Sequence, residues 1–198
     1  MPMPKIVDHD KQRVLVAEAA WRIIRRDGME QASVRNIAEE AGVSVGSMRH
    51  YFSTQSELLR YAMNLVSERV SHRVQKMSFT GSPMDNMKCL LLEFLPNTEE
   101  KLAEMEVWYA FTARSKTDPT LKELANTVYD ELRQAVGSVI TYLIKHDLSR
   151  PDLDKELEIE RLYALVDGLG IHTVLRPDQM NAKLMDDVLT LHLASLFR

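Results

Sequence analysis

Apolar residues recur every three to four positions along most of the chain, which is the pattern of amphipathic α-helices. Prolines fall between these periodic segments or at their first residue, and no run of β-branched and aromatic residues alternates as a strand would. The pattern predicts an all-α protein of about nine helices. The predicted segments are residues 11–27, 34–41, 45–51, 54–77, 83–95, 98–115, 119–146, 154–175 and 181–197.

The fourth predicted segment, residues 54–77, is too long for a head made of short helices. At about 1.5 Å per residue it reaches roughly 36 Å. We therefore expect it to be a connecting helix between two domains. The sequence predicts a three-helix head over residues 1–53 and a helical bundle over residues 54–198.

Composition places the chain among ordinary globular proteins, with 45% hydrophobic residues and a net charge of −4 over 198 residues. That composition disfavours disorder, and no run approaches the ~20 apolar residues of a membrane helix. The start of the chain lacks the apolar stretch of a signal peptide. The only cysteine, Cys89, excludes an internal disulfide and is interpreted as a small buried hydrophobe. We expect a cytoplasmic protein.

Charge is distributed unevenly along the chain. Residues 1–76 hold 12 basic and 9 acidic side chains, whereas the remainder holds 13 basic and 20 acidic ones. A basic front on an acidic body indicates that the front is the part that meets a polyanion.

Residues 34–51 satisfy the constraints of a helix-turn-helix. Ala38 is the small residue where the second helix crosses the first, and Gly42 stands at the turn position that takes a left-handed backbone. Ser44 is placed to cap the second helix. The positions that lock the two helices together are all apolar or aromatic: Ile37, Ala41, Val43, Met48 and Tyr51.

The remaining side chains of the second helix are expected to face outward. A short helix that begins with small residues fits a DNA major groove about 12 Å wide. The start of the next helix, at Thr54 and Gln55, offers backbone N–H groups to a phosphate. The outward set is Val45, Gly46, Ser47, Arg49 and His50.

Residues 33–52 (SVRNIAEEAGVSVGSMRHYF), followed by 57–59 (ELL), resemble the DNA-binding head of TetR-family transcriptional regulators. Residues 95–111 and 167–172 resemble the C-terminal domain of the betaine-pathway, choline-responsive branch of that family. The resemblance implies phosphate contacts from Arg35, Ser44, Tyr51 and Thr54, and base contacts from Val45, Gly46, Ser47, Arg49 and His50.

One position departs from the family pattern. Gln55 stands where the family often places a lysine. The loss of that charge predicts a greater dependence of DNA affinity on Arg35, Arg49 and the basic N-terminal arm.

An aromatic stripe in the sixth predicted helix has two interpretations, core packing or the wall of a ligand cavity. Trp108 and Tyr109 would suit cation–π recognition of choline, and Arg114 could add a polar group. His172 is interpreted either as a hydrogen-bonded core residue or as a ligand contact. The ligand-binding candidates are Met63, Met87, Leu91, Met105, Trp108, Tyr109, Phe111, Thr112 and His172.

No motif predicts catalysis. Residues 42–46 match G-x-S-x-G, but a helix rather than a strand precedes them. Residues 168–170 are not a dinucleotide fingerprint, and no Glu-x-x-His pair supports a di-metal centre. We expect no enzyme activity, no cofactor and no metal.

The eighth predicted helix is apolar around nearly its whole circumference, which requires burial on both sides. One side can face its own core and the other a second chain; the alternative is a central helix in a monomer. The ninth helix repeats the pattern, so a two-fold four-helix interface is predicted. The interface candidates are Leu162, Leu165, Gly168, Leu169, Leu189, Leu193 and Leu196.

These features together predict a homodimeric repressor that binds a palindromic double-stranded DNA operator and is released by a small-molecule inducer. Three alternatives stay open: an activator, a DNA-binding protein without ligand control, and an enzyme built on a helical bundle.

Overall fold

The computed structural model describes residues 9–198, and the basic N-terminal arm before His9 lies outside the described residues. Over this range the chain forms nine α-helices and one 3₁₀ turn, Met29–Gln31, without a β-strand, so the predicted fold class is confirmed. The helices are α1 His9–Asp27, α2 Val34–Glu40, α3 Val45–Tyr51, α4 Gln55–Gln75, α5 Pro83–Leu92, α6 Glu99–Ser115, α7 Pro119–Lys145, α8 Lys155–Leu175 and α9 Ala182–Ala194.

Helix starts follow the capping residues in the sequence. The hydroxyl of Ser33 accepts from the backbone N–H of Asn36, and that of Ser44 accepts from Ser47. Such a cap satisfies one of the N–H groups that the first turn of a helix leaves unpaired. The same arrangement begins α5, α8 and α9, at Ser82, Asp154 and Asn181.

Two helices, α5 and α9, end three residues earlier than predicted. The last turn of α5 tightens to 3₁₀ spacing, with Leu95 N–H donating to Leu92 C=O, because Pro96 disfavours helical backbone at the residue before it. After α9, Arg150 N–H donates to Leu196 C=O and Arg198 N–H to Leu148 C=O. The chain end therefore pairs with the loop after α7 instead of continuing the helix.

The chain divides into two compact units. The first contains residues up to Glu68 together with Val107–Leu124, and the second contains Arg69–Glu106 with Ala125–Arg198. The division crosses α4, α6 and α7, which each contribute to both units. The predicted boundary between residues 53 and 54 separates the chain by function rather than by compactness, and it stays a prediction.

The core of the first unit is built around α1 and α4. The indole N–H of Trp21 donates to the carbonyl oxygen of Ala62 at 3.0 Å, which joins the two helices inside the core. The surrounding apolar side chains are buried: Val16, Ala17, Ala20, Ile24, Ile37, Met48, Leu58, Met63 and Phe111.

The core of the second unit is one apolar cluster from α5, α7, α8 and α9, and it corrects the predicted dimer interface. Five of the seven candidates lie inside it, at most 3% exposed, and have no surface left for a second chain. An apolar helix does not reveal which of its faces turns inward, so the prediction chose the wrong one for these five: Leu162, Leu169, Leu189, Leu193 and Leu196. Leu165 and Gly168 remain partly exposed.

Two further interpretations are wrong in the same way: Cys89 as a buried hydrophobe, and His172 as a core residue. Cys89 is exposed, because Met87 and Leu91 form the inner face of α5 and position 89 falls on the opposite side. His172 is exposed on α8 rather than buried in the core.

Candidate nucleic-acid interface and ligand-binding domain

The corner between α2 and α3 has the predicted geometry. Gly42 has φ +67°, a left-handed backbone, and Val43 N–H donates to Ala38 C=O at 2.9 Å across the turn. An added Cβ at Gly42 would meet nothing within 4 Å, so the glycine is required by its backbone conformation rather than by space. Ala38 is buried where the helices cross. The two helices therefore form a fixed corner.

The outward side of α3 is exposed, as predicted, while Met48 holds the opposite side in the core. An added Cβ at Gly46 would come no closer than 3.7 Å to Ser44 Oγ, so packing within the protein does not demand a glycine here. The small residue leaves room for another molecule's backbone to approach. We call this surface the recognition face: Val45, Gly46, Ser47, Arg49 and His50.

The predicted phosphate contacts surround this face with different local roles. Arg35 is exposed in the first turn of α2, and the half-buried ring of Tyr51 lies 4.9 Å from that of His9. The hydroxyl of Ser44 caps α3, and the hydroxyl of Thr54 accepts from Glu57 N–H at 3.0 Å. Ser44 and Thr54 are thus engaged in helix capping, and a phosphate contact from any of the four stays a prediction.

Gln55 has a structural role that the sequence did not indicate. Its side-chain amide Nε2 donates to the carbonyl oxygen of Ala32 at 2.7 Å, which ties the start of α4 to the residue after the 3₁₀ turn. The acceptor lies 23 positions earlier in the chain, so no local pattern announces the contact. A lysine at this position could not donate in the same planar geometry.

Glu57 and Arg13 were also missed, and they fix the start of α4. The Glu57 carboxylate accepts from the backbone N–H of Ser53 at 2.8 Å and from its hydroxyl at 2.7 Å. These bonds, the hydroxyl first, lower the pKa of Glu57. Arg13 lies over the rings of Phe52 and Tyr61, 4.8 and 4.5 Å from the centroids. The Thr54-x-x-Glu57 spacing is a capping-box pattern that could have revealed the first of these.

Several basic side chains of the head are already paired. Arg22 and Arg26 both donate to the Glu40 carboxylate, at 2.7 and 3.0 Å, and Arg26 also binds Asp27. Arg22 is the main cause of the lowered pKa of Glu40, and Arg26 of the lowered pKa of Asp27. The head therefore presents less positive charge than its residue count indicates, and the dependence of DNA affinity on Arg35 and Arg49 stays a prediction.

The ligand candidates divide between the two units. Met87 and Leu91 belong to the core cluster of the second unit, which favours the core interpretation for both. Met105 is half-buried in the same unit. His172, also in this unit, is the one ligand candidate that is exposed. The candidates in the first unit are Met63, Trp108, Tyr109, Phe111 and Thr112.

Thr112 stands out among these residues. Its hydroxyl is buried and has no hydrogen-bond partner within the described residues, and the same holds for Ser67, also in the first unit. A buried hydroxyl without a partner is costly unless something binds it. Trp108 and Phe111 lie nearby in sequence with their rings stacked, 6.4 Å between centroids. Polar and aromatic groups suited to a ligand thus occur together on α6.

Neither a metal cluster nor a membrane span is found in residues 9–198. No group of three or more His, Cys, Asp or Glu side chains in that range could hold a metal ion. No helix within it is long and apolar enough to cross a bilayer.

Two family models match the chain. Residues 16–62 match the bacterial regulatory proteins of the tetR family, and residues 83–198 match the C-terminal domain of BetI-type transcriptional repressors. The chain belongs to the TetR family. This TetR-family protein is a DNA-binding transcriptional regulator rather than an enzyme, and the resemblance of residues 33–52, 95–111 and 167–172 is confirmed.

Curated relatives extend over nearly the whole of this TetR-family chain. The HTH-type transcriptional regulator PksA of Bacillus subtilis is 45% identical over 195 residues, covering 98% of this chain and 94% of that protein. The HTH-type transcriptional regulator BetI of Serratia proteamaculans is 29% identical over 185 residues, covering 90% and 89%.

Solved structures share the fold of this TetR-family chain. A transcriptional regulator from Rhodococcus sp. Rha1 superposes with a TM-score of 0.80 at 27% identity, over 93% of this chain and 95% of that one. A regulator from Saccharomonospora viridis, solved in complex with choline, superposes with a TM-score of 0.82 at 24% identity, over 96% and 99%.

Proposed function

We propose that this TetR-family protein is a repressor that binds a palindromic operator as a homodimer and is released by a small molecule. The observation that carries the proposal is the recognition face, whose glycine and exposed polar side chains serve no packing purpose within the protein. Two such faces about 34–36 Å apart would read two half-sites one helical turn apart. Because the proposed operator is part of chromosomal DNA, the protein would act in the cytoplasm.

Exposed leucines on α8 and on α9 support the homodimer. Leu157 and Leu175 are 68% and 69% exposed, and Leu191 is 74% exposed. Leu157, Ala164, Gly168 and Leu175 share one face of α8, because 18 residues make about five turns. Monomeric proteins rarely leave such apolar surface open. We call it the outer leucine face: Leu157, Ala164, Gly168, Leu175, Leu184 and Leu191.

Gly168 supports a close helix crossing on this face. An added Cβ there would meet nothing within 4 Å in the protein, so its own protomer does not need a glycine. A glycine inside a helix costs about 1 kcal/mol relative to alanine. Close approach of a partner helix would explain why that cost is tolerated.

The unpartnered hydroxyl of Thr112 and the neighbouring aromatic rings support a ligand contact on α6. Choline is the first compound to test, since the regulator from Saccharomonospora viridis was solved with it and the C-terminal family model is BetI-type. Trp108 and Tyr109 would supply the ring faces that attract a quaternary ammonium. A ligand can release DNA only through a higher affinity for the released state.

The test combines three measurements on the purified protein. Light scattering after gel filtration determines whether it is a dimer, and fluorescence anisotropy measures its affinity for the DNA upstream of its own gene. The same assay is repeated with choline and with a panel of other small molecules. A dimer that binds DNA and is released by one compound is expected. A monomer, or a dimer that no compound releases, would contradict the proposal.

A further inference from the structure

Four alternating charges meet at the end of α4. Arg73, in the last turn of α4, donates through both terminal nitrogens to Glu104 of α6, Nη1 to Oε1 at 3.0 Å and Nη2 to Oε2 at 2.7 Å. Its Nε donates to Glu93 Oε2 at 2.9 Å, at the C-terminal cap of α5. Lys101 Nζ reaches Glu93 Oε1 at 2.9 Å and Leu92 C=O at 3.0 Å. We call these residues the Arg73 cluster: Arg73, Glu93, Lys101 and Glu104.

Burial makes the ion pair between Arg73 and Glu104 costly to break. The Glu104 side chain is 4% exposed, and that of Arg73 is 23% exposed. The Glu104 carboxylate raises the pKa of Arg73, so the guanidinium stays charged. Removing one member of a buried ion pair leaves an uncompensated charge in low dielectric, which is far more costly than an exposed pair is beneficial. The bidentate contact therefore holds the last turn of α4 to α6.

The other end of the same helix is close along the chain to α3, which carries the recognition face. Only Phe52, Ser53 and Thr54 separate the end of α3 from the start of α4, and Gln55 and Glu57 anchor that start. α4 itself is one uninterrupted helix of 21 residues. It contains no proline or glycine, the usual causes of a sharp kink, so a shift of one end would be carried along the helix to the other.

We propose that Arg73 is a positioning residue for DNA binding. Its three hydrogen bonds to Glu104 and Glu93 hold the last turn of α4 in the placement that suits the operator. The inference rests on the proposed function only in requiring an operator. It gives Arg73, which lies outside the helix-turn-helix, a role in DNA binding. The planar fork of arginine is essential to it, since a lysine cannot make the bidentate contact.

The test compares Arg73→Gln with a matched control, Lys88→Met. The Lys88 ammonium also makes a cross-helix ion pair in the second unit, to Asp186 at 2.9 Å, and is 25% exposed. This ion pair joins α5 to α9 and does not involve α4. For each variant, the midpoint of thermal unfolding is measured first, and the operator Kd is then measured at a temperature where all the proteins are folded.

Arg73→Gln is expected to weaken operator binding at least about fivefold, the lower range of a conformational coupling, while Lys88→Met leaves the Kd within about twofold. Arg73→Lys should behave like Arg73→Gln, and the exchanged pair Arg73→Glu with Glu104→Arg should recover part of the affinity. Should Arg73→Gln not fold, Arg73→Lys and Glu93→Gln give the same comparison with fewer bonds removed. Equal effects of Arg73→Gln and Lys88→Met on Kd, or a wild-type Kd for Arg73→Gln, would overturn the inference. A wild-type protein that binds no operator would instead overturn the proposed function.

Discussion

The side-chain amide of Gln55 donates a 2.7 Å hydrogen bond to the carbonyl oxygen of Ala32, joining the first residue of α4 to the segment before α2. Gln55 is thus a structural link of the head at a position where a phosphate-binding lysine is common. At this helix start, residues that the sequence predicts to contact DNA also make contacts within the protein.

Replacement of Gln55 by alanine is expected to lower the free energy of unfolding by about 0.5–1.5 kcal/mol, the usual net value of one hydrogen bond. The salt dependence of operator binding should not change, because no phosphate contact is removed. Chemical denaturation and anisotropy titrations at several salt concentrations measure the two quantities. A shallower salt dependence with unchanged stability would assign Gln55 to the phosphates instead.

Arg35 and Arg49 are expected to differ in what their loss does to DNA binding. Arg35→Ala should weaken binding to all sequences and reduce the salt slope by about 1, as for one phosphate contact. Arg49→Ala should cost about 1–3 kcal/mol on the operator and relax its sequence preference. Lys122→Ala, an exposed charge removal on α7, serves as the control and should change neither. Identical behaviour of all three variants would show that only net charge matters.

Mutation of the outer leucine face should affect dimerisation, whereas mutation of a buried leucine should affect the stability of the fold. Leu191→Glu, at a side chain 74% exposed, should abolish the dimer and keep the protomer folded. Leu162→Ala, at a fully buried side chain, should cost about 2–5 kcal/mol of stability instead. Light scattering and denaturation distinguish the two effects. A Leu191→Glu protein that stays dimeric would place the interface elsewhere.

The helix-turn-helix was predictable because its requirements are local. A left-handed turn demands Gly42, and a helix crossing demands Ala38, at fixed spacing. The faces of α8 were not predictable, since Leu157 and Leu162 look alike in sequence and only the packing of α5, α7 and α9 selects the buried one. The bond from Gln55 to Ala32 and the bonds from Arg73 to Glu93 and Glu104 join residues 20 or more positions apart, so no periodicity reveals them.

Acidification should weaken the fold through His192. Burial, then the charge of Arg161, lowers the pKa of His192, which lies beside Glu158, Arg150 and Arg161. The pKa of His192 in the folded protein is below its unfolded value of about 6.5. The stability that depends on neutral His192 is therefore fully present above about pH 6.5. It is lost as the pH falls through the folded pKa, because the unfolded chain binds the proton more tightly.

Denaturation of the wild-type protein and of His192→Gln between pH 7.5 and 5 measures this effect. The wild-type free energy of unfolding should fall more steeply than that of the variant as the pH decreases. Parallel pH profiles would show that His192 does not contribute.

The most direct measurement of the central claim is the affinity of the purified protein for the DNA upstream of its own gene, against an unrelated duplex of equal length at physiological salt. The recognition face predicts binding to the upstream fragment about 10³-fold tighter or more, saturating at one dimer per palindrome. Equal affinity for both duplexes would contradict it.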